Sequence, residues 1–353
     1  ATTIDDEEYE YKNGQSVNNW DKKYIGPTRV RYGIEHSMNV LAVKTLTDYV
    51  GETESYDYLL NFGFTTLSED DKYSQAKALG GITNGVYNIE MTAAYAAIAN
   101  GGTYTKPILY TQVLDHDGNV LLDNTTPETH EVLKDSTAYL LTSAMEDVVN
   151  GVGGTGGSAR LSNMPVAAKT GTSQESRDLW ISAFTPYYTA SVWGGYDEHK
   201  TMDRLSQSWH QKLWKNIMEH IQDTKGLEYK DFEIPSSVEE KTVCTKTGLL
   251  ATSSCPAITE YFSKDNAPTK SCSGHYVAPS KDSKKDDSES SDENTPATGT
   301  DSSGTTSSPD SSSAGTTTEP AAGGDSAGTT GTTTGDTSGS TTGGDTGSGS
   351  TTQ

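Results

Sequence analysis

The sequence predicts a mixed α/β fold of the α+β kind, with an antiparallel sheet covered by helices. Three observations carry that expectation. Apolar residues recur at helical spacing in four segments. Three short strand-like runs follow one another in the middle of the chain. The links between them are too short for a crossover helix, so neighbouring strands should run antiparallel. Helices first, then strands, then a helix again is the pattern of a sheet packed under helices.

The first helix is expected over residues 31–50, where Ile34, Met38, Leu41, Ala42, Thr45, Leu46 and Tyr49 share a stripe. Gly51 stands where a left-handed glycine closes a helix. Residues 89–99 are alanine-rich and stop at Gly101-Gly102. Asp115-His116-Asp117-Gly118-Asn119 offers oxygens to calcium but lacks the later glutamate of an EF-hand loop, so it reads as a hairpin turn. A third helix runs from residue 135 or 136 to 150, with Leu140, Leu141, Ala144, Met145, Val148 and Val149 on its apolar face. The glycines at 151, 153, 154, 156 and 157 suggest a phosphate cradle, but no Gly-Lys-Ser/Thr follows them and a strand comes next. They read instead as a mobile loop bordering a cleft. Strands are expected over 165–173, 178–185 and 188–196, and Leu213, Trp214, Ile217, Met218 and Ile221 mark a fourth helix.

Composition divides the chain. Hydrophobic residues make up 32% of 353, low for a filled core. The shortfall is local: residues 280–353 hold no member of that set except alanine. A Ser/Thr/Gly/Asp tract of this kind cannot offset its ordering entropy and is expected to be disordered. Residues 1–234 read as the main domain, and 235–279, behind a boundary near Pro235, as a small appended module holding all three cysteines. The net charge of −23 gives no basic footprint for nucleic acid and no attraction to anionic lipid. No run of about 18 apolar residues is present to span a bilayer. The polar opening, with no initiator Met, reads as the start of a segment of a longer protein.

Two motifs suggest chemistry. Ser37-Met38-Asn39 falls in the first helix, and Lys169-Thr170-Gly171-Thr172 lies on the first strand after the glycine loop. Alone, Ser37 and Asn39 also suit a polar helix N-terminus. Together the motifs fit acyl transfer. A serine nucleophile needs a base. A second hydroxyl, Ser37, can relay protons to a leaving amine, and Asn39 can hold a substrate amide. Lys169 supplies positive potential, Thr170 and Thr172 offer hydroxyls to a carboxylate, and Gly171 admits a close substrate backbone.

S-x-N and K-T-G belong to the signature of penicillin-binding proteins and class A β-lactamases. The chain resembles the transpeptidase domain of a Gram-positive-type class A penicillin-binding protein. The resemblance rests on WDKKYIGPTRVRYGIEHSMNVLAVK, ALGGITNGVYNIEMTAAYAAIANGGTY, AAKTGTSQESRDLWISAFTPYYTASVWGGYD and the cysteine-containing CTKTGLLATSSCP with PTKSCSGH. It implies a penicillin-binding transpeptidase and serine β-lactamase-like fold, with helices on both faces of the sheet and a cleft at the KTGT edge strand. It implies that Lys169 orients the site electrostatically. Thr170 and Thr172 would hold the terminal carboxylate of a D-Ala-D-Ala stem peptide or a β-lactam. The Thr172 N–H would make half the oxyanion hole. No cofactor and no metal is implied for the reaction. The implied location is the outer face of the cell membrane or the cell wall. Contact with the membrane would be through an upstream anchor, beside an upstream glycosyltransferase domain and division or elongation proteins.

One departure matters. The family's S-x-x-K nucleophile precedes S-x-N, and nothing before Ser37 fits it, so the acylated serine is expected upstream of this chain. Ser74-Gln75-Ala76-Lys77 does read S-x-x-K but comes after S-x-N, and reads as a surface helix turn. The alternative function is a non-catalytic wall-peptide-binding module, and a β-lactamase is a third reading. Cys244, Cys255 and Cys272, with His275, leave three states open: a disulfide, reduced thiols, or structural zinc.

Overall fold

The computed structural model of the protein describes residues 2–198, 200–202 and 207–273. The 280–353 tract and His275 lie outside the described residues. The chain opens with four strands, β1 (Thr3–Asp6), β2 (Tyr9–Glu10), β3 (Ser16–Val17) and β4 (Gly26–Arg29). β1 pairs antiparallel with β4 and β2 with β3. Each is two to four residues long, too short to show a period in sequence.

The single helix expected over 31–50 is three pieces: α1 (Val30–Glu35), α2 (Asn39–Lys44) and a π-helical stretch, Thr45–Val50. The break is a helix cap. Ser37 has φ +54°, in the left-handed region. Its N–H donates to Ile34 O at 3.2 Å, and the Met38 N–H to Gly33 O at 2.9 Å. This pair of bonds satisfies the last carbonyls of α1, in the pattern that usually carries glycine at its left-handed position. Gly33 lets the two helices fold together, since a Cβ there would lie 2.7 Å from Leu41 Cδ2. Asn19 then caps α2 from a distance. Its Oδ1 accepts from Val40 N–H at 3.2 Å while its Nδ2 donates to Asp6 Oδ1 at 2.8 Å. Both Asn19 and Asp6 are buried.

Next come α3 (Glu52–Asn61), the short α4 (Glu69–Lys72) and α5 (Asn88–Ala99). Ala93, Ala94 and Ala97 on α5 are buried, and their small side chains let neighbouring backbone approach. β5 (Thr103–Thr105), β6 (Gln112–Leu114), β7 (Val120–Asp123) and β8 (Thr129–Glu131) follow, paired as β5 with β8 and β6 with β7. The β6–β7 turn is the hairpin expected at 115–119: Asp115 Oδ1 accepts from the N–H groups of Asp117 and Asn119 at 2.9 and 2.8 Å.

α6 (Asp135–Asn150) buries Ala138, Tyr139, Met145, Val148 and Val149. It precedes the three-stranded sheet of β9 (Ala167–Thr172), β10 (Asp178–Phe184) and β11 (Thr189–Gly195), ordered β11-β10-β9 and antiparallel throughout. Alternation divides the sheet. On one face Ala168, Ile181 and Ala183 pack with Trp214 and Met218 of α7 (Trp209–Lys225). On the other, Ala167 and Phe184 pack with Ile98 of α5 and Met145 of α6. Helices therefore cover both faces, and β9 is an edge. α7 closes with left-handed Gly226 and a bond from Leu227 N–H to Gln222 O at 3.0 Å.

β12 (Val238–Cys244) and β13 (Ala257–Ser263) form an antiparallel pair in the C-terminal module. Tyr261 meets Tyr139 of α6 edge to face, with ring centroids 5.2 Å apart. Buried Glu260 receives both Arg29 and Arg31, and Arg31 also reaches Asp147 at 2.8 Å and Ser143 O at 2.8 Å. The described residues fall in one compact unit.

Two outcomes follow from this packing. A left-handed residue with a Cβ costs about 1 kcal/mol more than glycine. Ser37→Gly is therefore expected to melt roughly 2–4 °C above Ser37→Ala, both having lost the hydroxyl. Equal melting temperatures would show that the turn is unstrained. Glu146 on α6 is held up to about 7, by burial first and by Asp231 and Asp147 next. Between the ordinary carboxylate value and about 7 the folded chain binds more protons than the unfolded one, so stability falls as pH rises through that window. Glu146→Gln should gain about 1 kcal/mol over the wild type at pH 8, after allowance for partial exposure, and almost nothing at pH 4.5. Thermal melts at the two pH values check this, and an equal gain at both would sink it.

Candidate active site

Tertiary structure brings together the two motifs that sequence reasoning singled out. Lys169 lies on the face of β9 that carries Ala167, towards α5 and α6. Its Nζ donates to Ser37 Oγ at 2.7 Å and to Thr170 O at 3.0 Å. Burial of the ammonium lowers Lys169 to about 8. The serine is half-buried at its left-handed turn. Because Ser37 Oγ accepts the ammonium proton, its own O–H stays available to a further acceptor.

Asn39 opens α2 on the same turn, and its Nδ2 donates to Asn18 O at 2.8 Å. Thr170 points to the opposite face of β9, where its Oγ1 is 2.7 Å from Thr155 Oγ1. Gln211 of α7 holds that contact: its Nε2 donates to Thr155 O at 3.1 Å and its Oε1 accepts from Ser158 N–H at 3.2 Å. Thr172 is exposed at the end of the strand, and Gly171 between them leaves the edge open. Ser37 and Lys169 are thus in direct contact, while Asn39, two residues beyond Ser37, is bonded to Asn18. Thr170 belongs to a separate contact, and Thr172 contributes hydroxyl and backbone at the rim.

Sequence reasoning missed Thr155, Gln211, Asn18 and Asn19. None lies in a motif, and only the pairing of distant elements reveals them. The glycine loop borders the motif residues, through Thr155 on Thr170, and is bonded back to α6. Gly151 N–H donates to Asp147 O at 2.7 Å and Gly156 N–H to Val148 O at 2.8 Å. At Gly153, with φ +87°, a Cβ would meet the His36 ring at 2.7 Å. At Gly151 and Gly153 the loop is packed against Glu35 and His36, just before Ser37, so those two glycines are steric requirements of that turn, while Gly154 and Gly156 lie close against α6.

Ser74 and Lys77 form no nucleophile pair. The lysine Nζ donates to the carbonyls of Lys72 and Ser74 at 3.2 and 3.0 Å, within a 3-10 turn rather than an α-helix. In the C-terminal module no disulfide joins Cys244, Cys255 and Cys272, yet their Sγ atoms lie within 4.8 Å of one another. A cavity of about 380 Å³, lined by Ile98, Asn100, Asp135, Tyr139, Lys230 and Phe232, includes none of the motif residues.

Known proteins match this architecture. The penicillin binding protein transpeptidase domain model matches residues 1–219, and the penicillin-binding protein 1A C-terminal domain model matches residues 234–276. Penicillin-binding protein 1A/1B of Bacillus subtilis (strain 168) is 32% identical over 75% of this chain and 31% of its own length. Penicillin-binding protein 1A of Clostridium botulinum (strain Langeland) is 36% identical over 69% of this chain and 29% of its own. The chain thus spans under a third of either relative. Among solved structures, penicillin-binding protein 1A from Haemophilus influenzae superimposes with a TM-score of 0.63 at 22% identity, over 77% of this chain and 46% of that one. The penicillin-binding protein PonA1 from Mycobacterium tuberculosis does so with 0.58 at 23%, over 67% and 66%. These likenesses establish the fold, and the family matches favour a transpeptidase over a non-catalytic wall-peptide-binding module. With the S-x-N turn and the K-T-G edge strand in contact, the chain belongs to the penicillin-binding protein transpeptidase family, in the branch that carries the 1A C-terminal domain.

Proposed function

We propose that this chain supplies part of the active site of a serine-type peptidoglycan D,D-transpeptidase. The acylated serine would come from an S-x-x-K segment outside this sequence, so the chain alone would be inactive. The observation that carries the reading is the 2.7 Å bond from Lys169 Nζ to Ser37 Oγ, which joins the two motifs. The nucleophilic serine attacks the amide carbonyl of a D-Ala-D-Ala stem, an ester forms, and the C–N bond breaks. D-Ala departs with the proton the serine gave up, relayed through the Ser37 hydroxyl. An amine of a neighbouring stem then attacks the ester and the serine regains its proton. Thr170, Gly171 and Thr172 receive the stem's carboxylate end, and Asn39 holds its amide. β-Lactams enter by the same acylation. The parent protein would act outside the cytoplasm, held by an anchor elsewhere in its sequence, beside division or elongation proteins. Among the described residues no helix is long and apolar enough to cross a membrane.

Fluorescent-penicillin labelling of the full-length protein tests the reading, with the labelled peptide located by mass spectrometry. The label is expected on a serine upstream of Ala1, and its absence from the full-length protein would overturn the assignment. In that protein Lys169→Ala should slow acylation by at least about 100-fold, the scale of losing one preorganised electrostatic group. Normal acylation in the variant would defeat Lys169's role. Because Lys169 releases its proton near 8, acylation at low drug concentration should fall as pH rises through that value. A flat profile from pH 7 to 9 would remove the charge from the account.

A further inference from the structure

We propose that Cys244, Cys255 and Cys272 form a thiolate site for a divalent cation of zinc type that pins the C-terminal module. The proposal is independent of the transpeptidase reading. The three cysteines come from separate segments: the end of β12, the turn ahead of β13, and the stretch beyond β13. Backbone bonds bring those segments together. Cys244 N–H donates to Leu249 O at 2.8 Å, around a turn made tight by left-handed Gly248. Cys272 N–H donates to Leu250 O at 2.8 Å, which lays the last segment alongside that turn. Thr245 N–H donates to Pro256 O at 2.9 Å, which draws in the Cys255 turn.

The result is three Sγ atoms within 4.8 Å of one another. A tetrahedral zinc with Zn–S bonds of about 2.3 Å holds its sulfurs about 3.8 Å apart, so shifts of about 1 Å close the set around an ion. Cys244 and Cys272 are 0% and 4% exposed, while Cys255 is half-buried. The site is thus closed behind and open on one side, where an ion can enter. Thr252 Oγ1 lies 3.3 Å from Cys255 Sγ, in position to donate to a thiolate and steady it.

Such a pin would add to the Glu260 and Tyr261 contacts that already hold the module. A two-stranded ribbon is marginal by itself. Among the described residues from 235 onwards, the buried hydrophobic residues are Val238, Val243, Cys244 and Cys272. A disulfide would use two sulfurs and leave the third pressed against the bridge, whereas a metal uses all three. Zinc binding by three thiols releases up to three protons and leaves a fourth position for water.

The test uses the whole chain, isolated with neither reductant nor chelator. Elemental analysis is expected to find about one zinc per chain, released when a mercurial modifies the thiols. Cobalt(II) added to the stripped protein should give near-ultraviolet thiolate-to-metal charge-transfer bands. Cys255→Ser, chosen because that thiol is only half-buried, should lower zinc affinity at least tenfold with an unchanged circular dichroism spectrum. If that variant does not fold, the wild-type cobalt titration decides. Zinc below a tenth of an equivalent together with no cobalt bands overturns the proposal. So does a disulfide mapped by mass spectrometry between any two of the three cysteines.

Discussion

The structure is organised around one requirement: the turn between α1 and α2 must sit against the edge strand β9. Lys169 and Ser37 are 132 residues apart in sequence and 2.7 Å apart in space. α6 makes that distance possible. It packs under the sheet through Met145 and is tied to α1 through Arg31, so helix layer and strand edge share a support. The closeness has an electrostatic cost. The lysine is desolvated, which is why it titrates near 8, and its bonds to Ser37 Oγ and Thr170 O offset part of that cost.

Polar networks rather than apolar packing set the precision of the turn. Asp6, buried and bonded to Asn19, holds the residue that caps α2, and Asp6 Oδ2 also accepts from Ile25 N–H at 2.9 Å. Arg31 fastens the other helix, sharing Glu260 with Arg29 and reaching Asp147 and Ser143. Removing one partner from a buried charged pair typically costs about 3–5 kcal/mol, far more than an exposed pair is worth. The glycine loop adds a steric limit from a third side, since His36 leaves no room for a Cβ at Gly153. Ser37 thus keeps an unfavourable backbone angle because its surroundings over-determine it.

The legible parts of the sequence were those whose signal is local and repeated. β9, β10 and β11 could be read because they are short strand-like runs joined by short links, and α6 and α7 because their apolar residues recur at helical spacing over more than two turns. The S-x-N and K-T-G motifs were legible as chemistry, and their contact followed. The helix break at Ser37 was not, because α1 and α2 keep one apolar side and a serine stands where a glycine would have marked the end. Strands of two to four residues carry no period. Thr155, Gln211 and Asn19 do their work through partners 15, 56 and 21 residues away, so those roles exist only once the chain has folded.

The C-terminal module shows why sequence boundaries and physical units need not coincide. Residues 234–276 match a domain model of their own, apart from the one that covers 1–219. Yet Glu260 of β13 is the shared acceptor for the arginines at the start of α1, and Tyr261 meets Tyr139 of α6 edge to face. An uncompensated Glu260, or an Arg31 left with only Asp147 and Ser143 to bind, would leave poorly paired charge beside the helix that leads into the Ser37 turn. A two-stranded ribbon with so small a core cannot resist such a demand through its strands alone. The ribbon therefore bears, through Glu260 and Arg31, on the helix that leads into the serine turn.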